Sequence, residues 1–275
     1  MIYGNFKDAI KASIRRLVDA GIEIQPNNWQ SMNVSALQAA RMKELLAVQF
    51  QVAMPDGSLE NALKFFQGEI KPNLPWADKH FELERVSREP INPGVTWEIW
   101  PWANSADRFR QGGQFDHSYA ERYWPKFAGY TPDGHIDRDN QCFPGNERQG
   151  IRDRVGDLDD IVTRLHQDAT TRQAVLSVWH PEDQSPSGRR VPCSLTYQFI
   201  VRNNYLHVLY SIRSCDAYRH FRDDLYLTAR LVLWALSELR KKDSSWDNCS
   251  LGLFTITIGS FHCFTNDIPQ LRKWL

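Results

Sequence analysis

The stretch that most constrains this chain is "PCSLTYQFIVRNNYLHVLYSIRSCD", Pro192 to Asp216. Two runs rich in β-branched and aromatic residues, 193–201 and 206–212, flank "RNNY", which predicts a β-hairpin. A lone hairpin is marginal in water, so this one needs further strands and a covering layer. Strands are expected at 172–179 and 253–264, the second running into a loop. Helices are expected at 5–20, 35–50, 157–166 and 224–240, the last largely apolar. Ser58 is expected to cap a short helix, "LENALKFFQG", ending at Gly68. Hairpins mixed with helices give an α+β class with a mixed β-sheet. Residues 69–93 read as Pro-rich and irregular. Residues 101–156, rich in Gly, Asp, Arg and aromatics, read as a surface insertion with short elements, a lid in one reading. The 275 residues are treated as a single domain.

Charge narrows the function classes. Lys+Arg and Asp+Glu are 33 each, so no net field favours nucleic acid or membrane, and any anion site must be local. The N-terminus lacks a signal-peptide core, and no apolar run reaches about 18 residues. The five cysteines form no C-x-x-C pair. Free thiols in a reducing cytoplasm and no metal site are therefore expected.

The residues themselves leave two readings at each position. Cys193, after a proline at a strand entrance, is either a small buried hydrophobe or a nucleophile. The second reading needs a cation to lower the thiol pKa, and Arg213 on the neighbouring strand could supply it. Arg213 and Ser214 could hold a phosphate, or Arg213 could pair with Asp216. Arg172 is either a second phosphate ligand or a solvated charge. Asp224, at the start of a helix, is either a helix cap or a carboxylate that accepts from the amino group of cytosine. His262 is either a satisfied, partly buried histidine or a sugar-hydroxyl contact.

Taken together, "PC…QF.V…RS.D" at this spacing resembles the thymidylate synthase superfamily, and most closely its phage branch, the deoxycytidylate hydroxymethylases. The likeness covers roughly half the chain, strongest over 171–224 and again at 259–264. It implies a thymidylate synthase-like fold whose sheet face forms a homodimer interface. It also implies the following roles. Cys193 is the nucleophile toward C6 of a pyrimidine nucleoside monophosphate. Gln198 supports the nucleotide pocket. Arg213 and Ser214 hold the phosphate, and Arg172 reaches it across the dimer. Asp216 contacts the folate pterin, and Trp76 and Trp97 flank that site. His262, with Phe264 where the family has Tyr, meets the sugar. Asp224 stands where the hydroxymethylases have Asp and the synthases Asn. The cosubstrate is 5,10-methylenetetrahydrofolate, with no metal, nucleic acid or membrane partner, and a phage protein would work in the host cytoplasm.

The resemblance has departures. The family's catalytic Glu falls at Asn61, with Glu60 one place earlier. A Tyr before Trp97 is Val95 or absent, the second interface Arg is Gln173, and Ser194 replaces His. The leading expectation is C5 hydroxymethylation of dCMP. The alternatives are a dUMP hydroxymethylase or divergent thymidylate synthase, and an inactive pyrimidine nucleotide-binding protein.

Overall fold

The computed structural model describes residues 1–29, 32–107, 110, 113–125, 129–130, 136–137, 156–184 and 190–275. In chain order, the elements that build and flank the site are β1 (Ile2–Tyr3), α1 (Phe6–Ala20), β2 (Ile22–Ile24), β3 (Met42–Ala53), α2 (Leu59–Ile70), α3 (Trp76–His80), α4 (Tyr119–Tyr123), α5 (Leu158–Gln167), β4 (Val175–Ser177), β5 (Ser194–Arg202), β6 (Tyr205–Asp216), α6 (Phe221–Lys242), β7 (Ser250–Phe264) and α7 (Ile268–Arg272).

The hairpin of β5 and β6 is antiparallel, with Tyr205 opposite Arg202. Its turn holds Asn203 and Asn204 at φ 51° and 61°. Asn tolerates this left-handed geometry, and such a turn matches the natural twist of the strands. From β6 the chain crosses through α6 and returns as β7, parallel to β6. The seven strands run in the order β1-β3-β7-β6-β5-β4, with β2 added against β3. The sheet is mixed and packed with helices, an α+β fold. One face buries Val48, Phe50, Tyr197, Phe199, Val208, Tyr210, Ile212, Phe254, Ile256 and Ile258. Helix α6 covers it with Leu225, Leu231 and Leu236, and α1 adds Phe6, Ile10, Ile14 and Leu17. Phe6 meets Phe254 edge-on at 5.1 Å.

Two irregularities set which side chains face this core. In β5, Thr196 pairs with Ser211 but Ser194 pairs with Ile212, so Leu195 is a one-residue bulge. The extra residue inverts the alternation, which places Ser194 and Tyr197 on the same side. In β3, Ala47 has φ 53°, and regular inward alternation starts only after it, at Val48, Phe50 and Val52.

Several local expectations are corrected. The helix expected over 35–50 is largely strand β3. "MKELLAVQFQVA" contains helix formers, but it lies between β1, β2 and β7, and that tertiary pairing overrides propensity. The segment 69–93 is not irregular throughout: α3 begins directly after Pro75 and continues as a wide turn over Phe81–Arg85. Helix α2 runs past Gly68 to Ile70 and is closed by Lys71 at φ 54°, while Ser58 caps it by accepting from Asn61 N. Helix α6 starts at Phe221, so Asp224 lies inside its first turn instead of capping it. His262 and Phe264 are on β7, not in a loop. Part of the segment expected as a surface insertion is interior: Tyr123 and Trp124 are buried. Residues 108–109, 111–112, 126–128, 131–135 and 138–155 of that segment lie outside the described residues.

Candidate active site

A cavity of about 620 Å³ opens where the C-terminal ends of β6 and β7 meet the start of β5 and the first turn of α6. It is lined by Cys193, Arg213, Ser214, Asp216, Asp224, His262, Phe264, Trp76 and Trp97. Nine of the thirteen residues singled out from the sequence thus converge on one space.

Hairpin pairing places Cys193 beside Arg213. Its carbonyl accepts from Arg213 N at 2.9 Å. The Arg213 guanidinium donates to the carbonyls of Pro192 (2.9 Å) and Val191 (3.2 Å). The cation is therefore held by the two residues that precede the thiol. Cys193 is exposed, so it is not a core residue, but what it faces is a cavity walled by protein. That enclosure pushes the thiol above its ordinary pKa. Arg213 and Arg190 pull it down, and Asp224 and Asp216 push it up. The field expected from Arg213 is present and is outweighed by desolvation.

Two carboxylates of α6 face the same space. Asp223 is buried and accepts from the backbone N–H (2.8 Å) and side chain (2.7 Å) of Asn73. Burial nonetheless pushes its carboxyl up to about 6. Asp224 is half-buried and lines the cavity. Enclosure pushes it up to about 7, although Arg85 and a hydrogen bond from the Cys215 thiol (3.5 Å) pull it back. Asp216 is fixed by the backbone N–H groups of Tyr218 and Arg219, each at 3.0 Å. His262 lies 3.4 Å from Ser260 Oγ, which donates to Glu44.

The expected catalytic pair does not reach the cavity. The side chain of Glu60 is 74% exposed and pairs with Lys64 at 2.7 Å, and Asn61 is exposed. Helix α2 turns Ala62, Phe66 and Ile70 to the core, which leaves both residues facing solvent. A glutamate that does line the cavity is Glu84, only 7% exposed. One of its oxygens accepts from Thr96 N at 2.7 Å and from Thr96 Oγ1, and the other lies 2.7 Å from His80 Nδ1. Burial pushes its pKa up, and these donors more than offset it, leaving the carboxyl below its usual range. Gly94 lies flat against the group, where a Cβ would come within 1.8 Å of its oxygen.

Gln198 and Arg172 also lie outside the cavity. Gln198 donates to Arg172 O at 2.9 Å. It sits on the far face of the sheet because the Leu195 bulge turns Tyr197 and Phe199 inward. Arg172 is exposed.

Sequence reasoning missed Glu84, His80, Tyr119 and Arg190. The Tyr119 hydroxyl accepts from Ser194 N (3.3 Å) and Oγ (3.2 Å), immediately beside Cys193. A signal was available: Ser118 and Glu121 form a reciprocal capping box, the S-x-x-E pattern of a helix start. The aromatic half of the cavity is also fuller than expected. Trp76 stacks on His80 (4.8 Å, 13°), Trp97 packs against Trp100 and Phe115, and Trp100 stacks on His220.

Comparison with known proteins identifies this arrangement. The sequence model of a family described as thymidylate synthase matches residues 94–275. The chain belongs to the thymidylate synthase family. The match takes in every cavity residue named above except Glu84, His80, Trp76, Arg85 and Glu44. Among solved structures, thermostable thymidylate synthase A from Bacillus subtilis superposes with a TM-score of 0.61 at 16% identity, covering 98% of this chain and 83% of that one. That likeness shows a shared fold. The thymidylate synthase family comprises one-carbon transferases that bind a pyrimidine nucleotide and methylenetetrahydrofolate and are usually dimeric, which suggests folate-dependent modification of a pyrimidine at C5. Among the described residues, no group of side chains is arranged to hold a metal ion, and no helix is long and apolar enough to cross a membrane.

Proposed function

We propose that the protein transfers a hydroxymethyl group to C5 of a cytosine nucleotide, converting dCMP to 5-hydroxymethyl-dCMP. The observation that carries this reading is the placement of Asp224 in one cavity with Cys193 and Arg213. The pairing edge of cytosine offers an acceptor at N3 and a donor at N4. A carboxyl group that titrates near neutrality matches both, because its O–H donates to N3 and its carbonyl oxygen accepts from N4. The ionised form still accepts from N4.

In this reading Arg213 and Ser214 hold the phosphate and His262 meets the sugar. Cys193 adds to C6, which turns C5 into an enamine-like nucleophile and splits one difficult substitution into two easier steps. Glu84 takes the role first assigned to Glu60 or Asn61: it moves the C5 proton and orients water. C5 would take the one-carbon unit from 5,10-methylenetetrahydrofolate, tetrahydrofolate would leave as the C5 proton is removed, water would add to the exocyclic methylene so formed, and Cys193 would leave C6. Bound 5,10-methylenetetrahydrofolate supplies the carbon at the oxidation level of formaldehyde. The indoles of Trp76 and Trp97 and the carboxylate of Asp216 suit a flat, hydrogen-bonding pterin. A buried carboxylate in one cavity with the thiol weighs against a protein that only binds nucleotide.

The raised Asp224 pKa also favours a second reading. The neutral acid can accept from uracil N3–H and donate to O4, so dUMP hydroxymethylation is the runner-up. We further propose a homodimer through the outer sheet face, where Val175 and Leu209 are exposed in one row with Gln198, with Arg172 presented toward the partner's phosphate.

Tritium release separates the readings. With 5-tritiated dCMP and methylenetetrahydrofolate, release is expected, accompanied by 5-hydroxymethyl-dCMP in the product. Preferential release from dUMP would favour the runner-up. Nucleotide binding without release from either would refute both.

A further inference from the structure

We infer that His80, clamped by Arg85, is the positioning residue that holds Glu84 ionised and so sets the pH at which this site works. The inference rests on the reading that Glu84 moves protons.

The backbone makes the arrangement possible. Over Phe81–Arg85 the helix widens, and Val86 N bonds to Phe81 O, five residues back. With more than four residues per turn, both Glu84 and Arg85 come to lie over His80. Arg85 Nε donates to His80 Nε2 at 3.0 Å. A guanidinium has no acceptor, so Nε2 must present its lone pair. The proton of a neutral ring is then on Nδ1, which lies 2.7 Å from Glu84 and donates to it. Burial and the Arg85 charge hold His80 below its ordinary pKa despite the adjacent carboxylate. Trp76, stacked at 13°, fixes the ring plane.

Lone-pair accounting sharpens the role. A carboxylate has about four acceptor positions. Thr96 fills two on one oxygen and His80 fills one on the other. One position remains, on the oxygen that His80 holds. Because Nε2 is tied to Arg85, His80 acts as a fixed donor and cannot pass a proton through its ring. Glu84 therefore exchanges protons with the cavity. The other ionisable groups near the trio are Tyr119 and Tyr123 from α4, Tyr197 and Tyr210 from the sheet, and Asp223 and Asp224 from α6, all of which interact with Arg85. Arg85 donates to the Tyr123 hydroxyl at 2.8 Å and stacks over Tyr119 at 4.2 Å. The same guanidinium thus braces the wall beside Cys193.

The test combines turnover with direct titration. The kcat/KM for tritium release is measured against pH for wild type, His80→Phe and His80→Asn. Glu84 is followed by carboxyl ¹³C shifts, assigned with Glu84→Gln. Loss of the donor in His80→Phe should raise both the acid limb and the ¹³C titration by about one pH unit or more. His80→Asn keeps an N–H near the position of Nδ1 and should shift each by less than half as much. A uniform loss of activity with both titrations unmoved would overturn the inference. In the unaltered protein, ring ¹⁵N shifts should show His80 protonated on Nδ1; the opposite tautomer would overturn it even if His80→Phe fails to fold. Turnover that survives Glu84→Gln while the ¹³C titration still shifts in His80→Phe would remove the proton-transfer role of Glu84 and leave its control by His80 standing.

Discussion

Replacing Asp224 by Asn should make the nucleotide-free protein more stable above neutral pH, although Asp224 is the proposed base reader. Asp224 has its pKa raised from 3.8 to about 7 by enclosure. A raised carboxyl contributes stability below its unfolded pKa, and that contribution is lost as pH rises through the folded value. Ionising it at pH 8 therefore carries a penalty of about 3 pKa units, a ceiling of about 4 kcal/mol. The residue is only half-buried, and solvent screening brings the expected figure to about 2 kcal/mol. For a chain of this size that corresponds to a Tm difference of about 4–8 °C at pH 8, shrinking toward zero near pH 4. Asp223, pushed up to about 6, adds a slope of the same sign to both proteins and largely cancels in the comparison. Calorimetric melts of wild type and Asp224→Asn from pH 4 to 8, without nucleotide, measure the difference. Parallel pH profiles, or a variant less stable at pH 8, would show that Asp224 is not held in an unfavourable environment. The same variant should shift tritium release from dCMP toward dUMP, since an amide presents a donor and an acceptor that suit uracil.

Other substitutions separate the functional groups from their neighbours. Cys193→Ala should abolish tritium release while leaving Tm within about 2 °C, because the side chain faces the cavity and not the core; loss of folding would contradict that placement. Glu84→Gln should slow turnover by about 10²–10⁴-fold, whereas Glu60→Gln, which loses only an exposed ion pair, should change stability by less than about 1 kcal/mol and activity hardly at all. Gly94→Ala should act like a partial loss of Glu84, since the new methyl occupies the carboxyl's position; wild-type kinetics in that variant would mean the loop yields freely.

The parts of the fold legible in the sequence are those whose signal is local. The hairpin, its Asn-Asn turn and the Ser58 cap depend on residues adjacent in the chain, and they are found where the patterns put them. Strand β3 was not legible, because its conformation is set by β1, β2 and β7, which arrive from both ends of the chain. The site divides in the same way. Cys193, Arg213, Ser214, Asp216 and Asp224 lie within one hairpin and the turn after it, so their spacing carried them to one cavity. Glu84 comes from a helix of ordinary charged composition, "HFELER", where only the wide turn and the contacts of Thr96 and Gly94 distinguish it from Glu82. Gln198 failed for another reason: motif spacing says nothing about which face a bulged strand presents.

That bulge makes chain length as consequential as chain identity in this hairpin. Substituting a residue in β5 changes one side chain, but deleting Leu195 would rotate the strand by half a turn relative to its own beginning. Tyr197, Phe199 and Val201 would move into solvent, or Cys193 and Ser194 would swing away from the cavity, and no single substitution could restore both halves. The residue count of β5 therefore constrains the hairpin as strongly as its side chains do, because removing one residue uncouples the Cys193 end of the strand from the core face of its remainder.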